Sequence, residues 1–370
     1  MKKPNLKTIL VPIDFSELSR DAIVTAKGLA RRFGAEIHLV HVHEFPFTPR
    51  IMGPIPATVM AYRDDAAIRR MRRLQGLAKR NDLPVANCHF MVGAPTFREI
   101  CQRAREISAD LIVMSTHGSS GLARFFRGST VERIVQHAPC PVLVVRGSER
   151  MSRPSPGEEK TTMETILVPV DFSQSSFQAL EFAIEFARKV TARLLIYHAV
   201  PVSDAFTVDG YALYDLSVLE EAARKDARQQ MGKFISLAKF GGVAFETLVE
   251  TTAPITGICA LAEERAVDLI ITATHGRTGL KHVLMGSVAE VVVRHSRRPV
   301  LVIPSHPEIR VSRLTKKGHR APPPAVPPVK KERSSPTSAS RAKGKRKLVA
   351  PGAPGRRRTR RLGGSPAARS

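Results

Sequence analysis

A chain of 370 residues exceeds the size at which a single hydrophobic core stops growing, so two ordinary domains plus something smaller are expected. The formal charge of +25 would suit a nucleic-acid binder until it is divided along the chain: residues 307–370 hold 19 Lys and Arg against Glu308 and Glu332, a net of +17, which leaves +8 for the rest. That stretch also carries 10 of the 27 prolines and no Phe, Tyr or Trp, so it has nothing with which to build a core and is expected to be a disordered basic tail.

At the amino terminus the apolar run of "MKKPNLKTILVPIDF" is short and meets Asp14 at once, which argues against a signal peptide. No stretch approaches the roughly 18 apolar residues of a membrane span, so no membrane partner and a cytoplasmic location are expected. Cys88, Cys101, Cys140 and Cys259 have no CxxC or metal-ligand spacing and read as small hydrophobes in a reducing compartment.

In chain order, Thr8 to Ile13, Glu36 to Val42, His89 to Val92, Leu111 to Met114 and Val142 to Val145 are short continuous runs rich in Val, Ile and Leu. Such runs predict strands buried on both faces. Between them Ala22, Ala26, Leu29, Ala30 and Phe33 fall at helical spacing, as do Ile68, Met71, Leu74 and Ala78, then Ile100, Ala104 and Ile107. Strand and helix in alternation predict βαβ units and a parallel sheet.

The pattern then returns. "TILVPIDFS" at Thr8 to Ser16 recurs as "TILVPVDFS" at Thr165 to Ser173, "ADLIVMSTHG" at Ala109 to Gly118 as "VDLIITATHG" at Val267 to Gly276, and "CPVLVV" at Cys140 to Val145 as "RPVLVI" at Arg298 to Ile303. Offsets of 157 or 158 residues are too long for a solenoid and mark a tandem duplication of one domain. In the second copy Leu180, Ala183, Ile184 and Ala187 carry the first helix and Leu194 to His198 the second strand. The polar segment between the copies has two prolines and reads as a linker. The expected organisation is domain one at 1–147, linker 148–162, domain two at 163–306 and tail 307–370.

In a doubly wound parallel sheet, ligands bind beyond the carboxyl ends of the strands where the strand order reverses. Asp14 and Asp171 follow the first strand of each copy, and the "STHG" and "ATHG" loops follow the fourth. Gly118 and Gly276 let a ligand approach the main chain closely. Nine residues on, Gly128 with Ser129 and Gly286 with Ser287 precede a helix. Ser129 to Glu132 and Ser287 to Glu290 fit the S-x-x-E capping box, which is expected to start that helix. Glycine followed by helix amides suits an anion, phosphate above all, and Arg124, Arg127, Arg277, Lys281 and His282 add positive charge nearby.

Taken together, "VPIDFS", His41 with Val42, "STHG-x9-GS" and "APCPVLVV", with "VPVDFS", "ATHG-x9-GS" and "RPVLVI" in the second copy, resemble the universal stress protein family over residues 5–146 and 163–304. The resemblance implies an α/β fold of two tandem doubly wound domains, each a five-stranded parallel sheet in the order 3-2-1-4-5 flanked by helices. It also implies bound adenine nucleotide, ATP, with a divalent Mg or Mn as its companion. Carried over, Pro12, Ile13 and Asp14 border base and ribose, Val42 touches adenine, and Gly118, Gly128, Ser129 and Thr130 hold phosphates. The matching positions in the second copy are Pro169, Val170, Asp171, Ala199, Gly276, Gly286, Ser287 and Val288. Both copies depart from the family's first motif glycine, which is Ser115 in one and Ala273 in the other. Ala199 offers adenine less apolar contact than Val42, so the first site is expected to be the tighter. The fifth strands pair between domains in this family, which implies an internal pseudo-dimer and allows two such chains to associate as a homodimer.

His117 and His275 sit beside the glycine, but no Ser, Cys or carboxylate partner recurs in both copies to complete a catalytic set, so they read as loop-fixing hydrogen bonders. No G-x4-GK-[ST] loop is present, nor the "SGGxDS" loop of ATP pyrophosphatases. A non-catalytic stress-response regulator is the leading reading. Slow ATP hydrolysis, with Asp14 or Asp171 helping to hold the metal, is one alternative. Another is sequence-independent nucleic-acid binding through "RAKGKRK" and "PGRRRTRR" in the tail.

Overall fold

The computed structural model describes residues 6–44, 57–115, 130–146, 163–201, 207–208, 211–212, 216–274 and 286–304. The linker 148–162 and the tail 307–370 lie outside the described residues, as do Gly118, Gly128, Ser129, Gly276, His117 and His275.

The first repeat runs β1 (Thr8–Pro12), α1 (Leu18–Phe33), β2 (Glu36–His43), α2 (Ala57–Arg80), a single 3-10 turn (Val85–Asn87), β3 (Cys88–Val92), α3 (Thr96–Glu106), β4 (Leu111–Ser115), α4 (Thr130–His137) and β5 (Val142–Val145). The second runs β6 (Thr165–Pro169), α5 (Gln174–Val190), β7 (Arg193–Val200), β8 (Thr207–Val208), β9 (Tyr211–Ala212), α6 (Leu216–Ser236), β10 (Phe245–Thr251), α7 (Pro254–Glu264), β11 (Leu269–Ala273), α8 (Ser287–His295) and β12 (Val300–Ile303). The antiparallel pair β8–β9 has no counterpart among the described residues of the first repeat and no signal in the sequence reading.

Strand order is β3-β2-β1-β4-β5 in the first repeat and β10-β7-β6-β11-β12 in the second, parallel within each, as the 3-2-1-4-5 expectation has it. The period of two along each strand sends side chains to opposite layers. Ile9 and Val11 pack with α1 and α2, while Leu10 between them packs with α3 and α4. On α2 the stripe is narrower than its spacing predicts. Leu74 and Ala78 are fully buried and Met71 half-buried, but Ile68 is 49% exposed.

The fifth strands do not remain edges. β5 and β12 pair antiparallel, Val144 opposite Val300 and Val142 opposite Val302, so one ten-stranded sheet runs through both repeats and each core layer is continuous across the junction. Around it Phe33 and Phe186 lie 5.4 Å apart, the Arg32 guanidinium donates to the Val190 carbonyl at 3.2 Å, and Arg146 donates to the Arg294 carbonyl. This is the internal pairing that the sequence resemblance implies.

Two recurring details are structural. The aspartate of "ADLIV" and "VDLII" clamps the start of each first strand: Asp110 accepts the Lys7 and Thr8 amides at 2.8 and 3.1 Å, and Asp268 those of Glu164 and Thr165 at 2.7 and 3.0 Å. The first helix of each repeat ends on a left-handed residue, Gly34 (φ 67°) in one and Thr191 (φ 60°) in the other. A β-branched residue in that conformation costs about 1 kcal/mol relative to glycine. Thr191→Gly is therefore expected to stabilise the protein by about 0.5–1 kcal/mol in urea unfolding; an unchanged or lowered midpoint would contradict it.

Candidate functional site

The carboxyl end of each first strand carries the same turn. Phe15 and Phe172 are left-handed, at φ 64° and 63°, a strain of about 1–2 kcal/mol for any residue other than glycine. Each ring lies against a histidine of the second strand, Phe15 at 4.4 Å from His41 and Phe172 at 4.2 Å from His198 between centroids. Each histidine in turn donates Nδ1–H to the carbonyl before the aspartate, His41 to Ile13 and His198 to Val170, both at 2.7 Å. A carbonyl only accepts, so the proton sits on Nδ1 in both rings. Strain that is locked by packing and a hydrogen bond, in two copies, marks a place where the backbone is held in a set position.

That turn aims the aspartates back along the first helix. Asp14 Oδ1 accepts the Ser16 amide at 3.0 Å and hydroxyl at 2.6 Å, and the Ser19 hydroxyl. Asp171 Oδ1 accepts the Ser173 amide at 3.1 Å, and Ser173 caps α5 by accepting from the Ser176 amide at 3.2 Å. The first and fourth strands are neighbours in both repeats, so their carboxyl ends border one crevice at the reversal of strand order.

In the second repeat that crevice is an open cleft of about 260 Å³. Pro169, Val170 and Asp171 form one wall, Ala199 another, Ala273 the end of β11, and Gly286, Ser287 and Val288 the start of α8. Eight of the nine positions carried over to this repeat thus converge, the ninth being Gly276. In the first repeat Pro12 ends β1, Ile13 and Asp14 follow it, Val42 lies near the end of β2, Ser115 ends β4 and Thr130 opens α4, the same places in the topology.

The capping-box expectation needs correction. α8 begins at Ser287 with Gly286 as its N-cap, and among the described residues no side chain caps it. The Gly286 amide donates to the Thr274 carbonyl at 2.6 Å and its own carbonyl accepts the Glu290 amide at 3.1 Å, so the glycine is pinned as the boundary and Ser287 falls inside the helix. In the first repeat α4 begins at Thr130, so the correction concerns the second repeat alone; Ser129 lies outside the described residues. The correction sharpens the chemistry, because first-turn amides without a side-chain cap are suited to an external acceptor.

Sequence reasoning missed Tyr197, His198, Ser176, Pro254, Ile258 and Thr274, which also line the cleft. His41 and His198 recur at offset 157 and were legible as a repeat; Tyr197 has Val40 at its counterpart and left no such trace.

Burial lowers the pKa of His41, His38, His43 and His89 below the ordinary histidine value, with Arg70 acting in the same direction on His41 and His43 and Arg103 on His38 and His89. Among the described residues His41 Nε2 is buried with no hydrogen-bond partner, and His38 Nδ1 meets His89 Nε2 at 2.9 Å, a contact with room for one proton. A histidine whose folded pKa is depressed takes its proton more readily when unfolded. Stability is therefore expected to be steady above about pH 6.5 and to fall as pH drops below it, by up to about 1.4 kcal/mol per pH unit for each proton of difference. Urea titrations at pH 7.5 and 5.0 check this, and His38→Asn with His89→Asn should flatten the slope.

Comparison with known proteins gives a consistent outcome. The model of the universal stress protein family matches residues 5–146 and again 162–304. A universal stress protein of Methanocaldococcus jannaschii is 31% identical over 138 residues, 37% of this chain and 80% of that one. One from Mycolicibacterium smegmatis is 25% identical over 304 residues, 80% of this chain and 96% of its own, and so spans both repeats. The crystal structure of a universal stress protein from Archaeoglobus fulgidus, 22% identical, superposes with a TM-score of 0.52 over 80% of this chain and 96% of that one, a likeness of fold.

Proposed function

Because the chain belongs to the universal stress protein family, we propose that it is an adenine-nucleotide-binding, non-catalytic regulator whose bound ATP sets the conformation or partner choice of the two-repeat body. One observation carries the reading: eight residues drawn from four separate stretches of the second repeat meet around a single cleft. Its chemistry is divided as a nucleotide requires. Val170, Ala199 and Ile258 supply apolar surface for a base, Asp171 a carboxylate for ribose hydroxyls, and the uncapped start of α8 supplies amides for phosphate.

Among the described residues no three His, Cys, Asp or Glu converge as a metal cage. A Mg or Mn ion accompanying ATP would be carried chiefly by the phosphates, with Asp171 as the cleft's carboxylate. No helix among the described residues is long and apolar enough to cross a membrane. All four cysteines are free and three are buried, which suits the reducing cytoplasm.

The test is equilibrium dialysis of the full chain against ATP, followed by variants in which Gly118 or Gly128 becomes Trp. Binding that these changes weaken in the first repeat supports the reading. A pure chain that takes up no ATP at millimolar concentration sinks it.

A further inference from the structure

Tyr197 lines the second cleft at a position the first repeat fills with a much smaller residue. By sheet register Val40 stands opposite Pro12 and Tyr197 opposite Pro169, so the two are equivalent. Each is 1% exposed and faces the core layer that holds α3 and α4 or α7 and α8. The Tyr197 hydroxyl donates to Glu250 Oε2 at 3.1 Å on β10. Glu250 takes the register position of Met91, an apolar residue packed against the same layer.

Helix α7 passes the ring at Gly257. A Cβ there would lie 2.2 Å from the Tyr197 hydroxyl and 2.5 Å from Thr252 Cγ2, distances that real Cβ atoms do not show. The fourth residue of α3, which is the matching position, is Glu99. Three positions therefore differ in concert: Val40, Met91 and Glu99 in one repeat, Tyr197, Glu250 and Gly257 in the other. The first change brings a large ring, the second an acceptor for its hydroxyl, and the third the space to admit it. A lone valine-to-tyrosine exchange in a close-packed layer would be overpacked.

Burial first, and then the charge of Glu250, hold the phenol well above its ordinary pKa, so it stays protonated and its proton is used on Glu250. Tyr197 therefore bounds the cleft by its bulk rather than as a donor.

We propose that Tyr197, anchored by Glu250 and admitted by Gly257, is the specificity-determining floor of the second cleft. Its bulk limits how deep a planar base enters, a constraint that the smaller Val40 does not impose in the first repeat. The inference rests on the nucleotide reading above and adds to it a size limit on the base.

The experiment titrates ATP and N6-benzyl-ATP into the full chain by calorimetry, with Tyr197→Phe, Tyr197→Val, Gly257→Ala and the double variant Gly257→Ala with Tyr197→Phe. The chain has no Trp and four Tyr, so tyrosine emission gives a second readout of ligand at the ring. Tyr197→Phe should bind ATP within about threefold of the parent, since the ring remains. Tyr197→Val should bind N6-benzyl-ATP at one site at least about tenfold better than the parent, about 1.4 kcal/mol, because the floor is lowered. Gly257→Ala should push the ring into the cleft and lose second-site binding, and removing the hydroxyl in the double variant should restore part of it. Should Gly257→Ala fail to fold, the two single Tyr197 variants decide. ATP bound equally by every folded variant, with unchanged discrimination against the benzyl analogue, overturns the role of Tyr197 and leaves nucleotide binding intact. No ATP uptake by the parent chain overturns both.

Discussion

Val144→Asp is expected to cost the fold on the order of 4–5 kcal/mol and to split one cooperative unfolding transition into two. Val144 is 2% exposed, stands opposite Val300 in the only antiparallel pairing of the ten-stranded sheet, and packs in the layer shared by α4 and α8. A carboxylate there has no described partner and would sit at the seam that joins both cores. The parent should unfold in urea as one unit, because the sheet and both layers run through the junction. In the variant the repeats should melt apart, with a smaller slope for each step. Val24→Asp, on a residue 59% exposed, is the control and should stay within about 0.5 kcal/mol of the parent. A single transition with an unshifted slope in the Val144 variant would mean the two repeats are not coupled through this strand pair.

Ala199→Phe should abolish nucleotide binding in the second repeat, at least about a hundredfold in affinity or about 2.8 kcal/mol, while the first repeat still binds. The reason is volume: the cleft is about 260 Å³ and Ala199 forms one of its walls, so a benzyl group projects into the space a base would take. Stoichiometry by calorimetry should fall from two ATP per chain to one. Overpacking is expected to cost about 1–3 kcal/mol of stability, which melting curves would register separately. Two ATP still bound by a folded variant would remove this cleft as the site.

Much of this architecture was legible because it rests on local pattern. The short Val, Ile and Leu runs are β1 to β5 to within about a residue at each end, since a strand buried on both faces has little room for polar residues. The duplicated "VPIDFS" and "DLIV" segments turned out to hold a strained turn and a strand clamp, two backbone devices that depend on particular side chains and so recur visibly. In the second repeat Ser287 misled as a cap because S-x-x-E describes composition around a helix start. Which residue becomes the boundary was decided by the Gly286 amide reaching Thr274 across the cleft.

The sequence by itself determined the duplication and the parallel α/β class, because each depends on spacing or repetition along the chain; the strand order and the eight residues found around the second cleft were implied by the family resemblance. Tertiary structure alone decided that β5 and β12 meet antiparallel to make one sheet. It alone also decided that Tyr197, Glu250 and Gly257, spread over 61 positions of sequence, form one structure at the base of the cleft. Contacts between residues far apart in the chain carry no periodic signal. A ring that needs both an acceptor on one strand and a gap in one helix is recognised only where those elements are packed together.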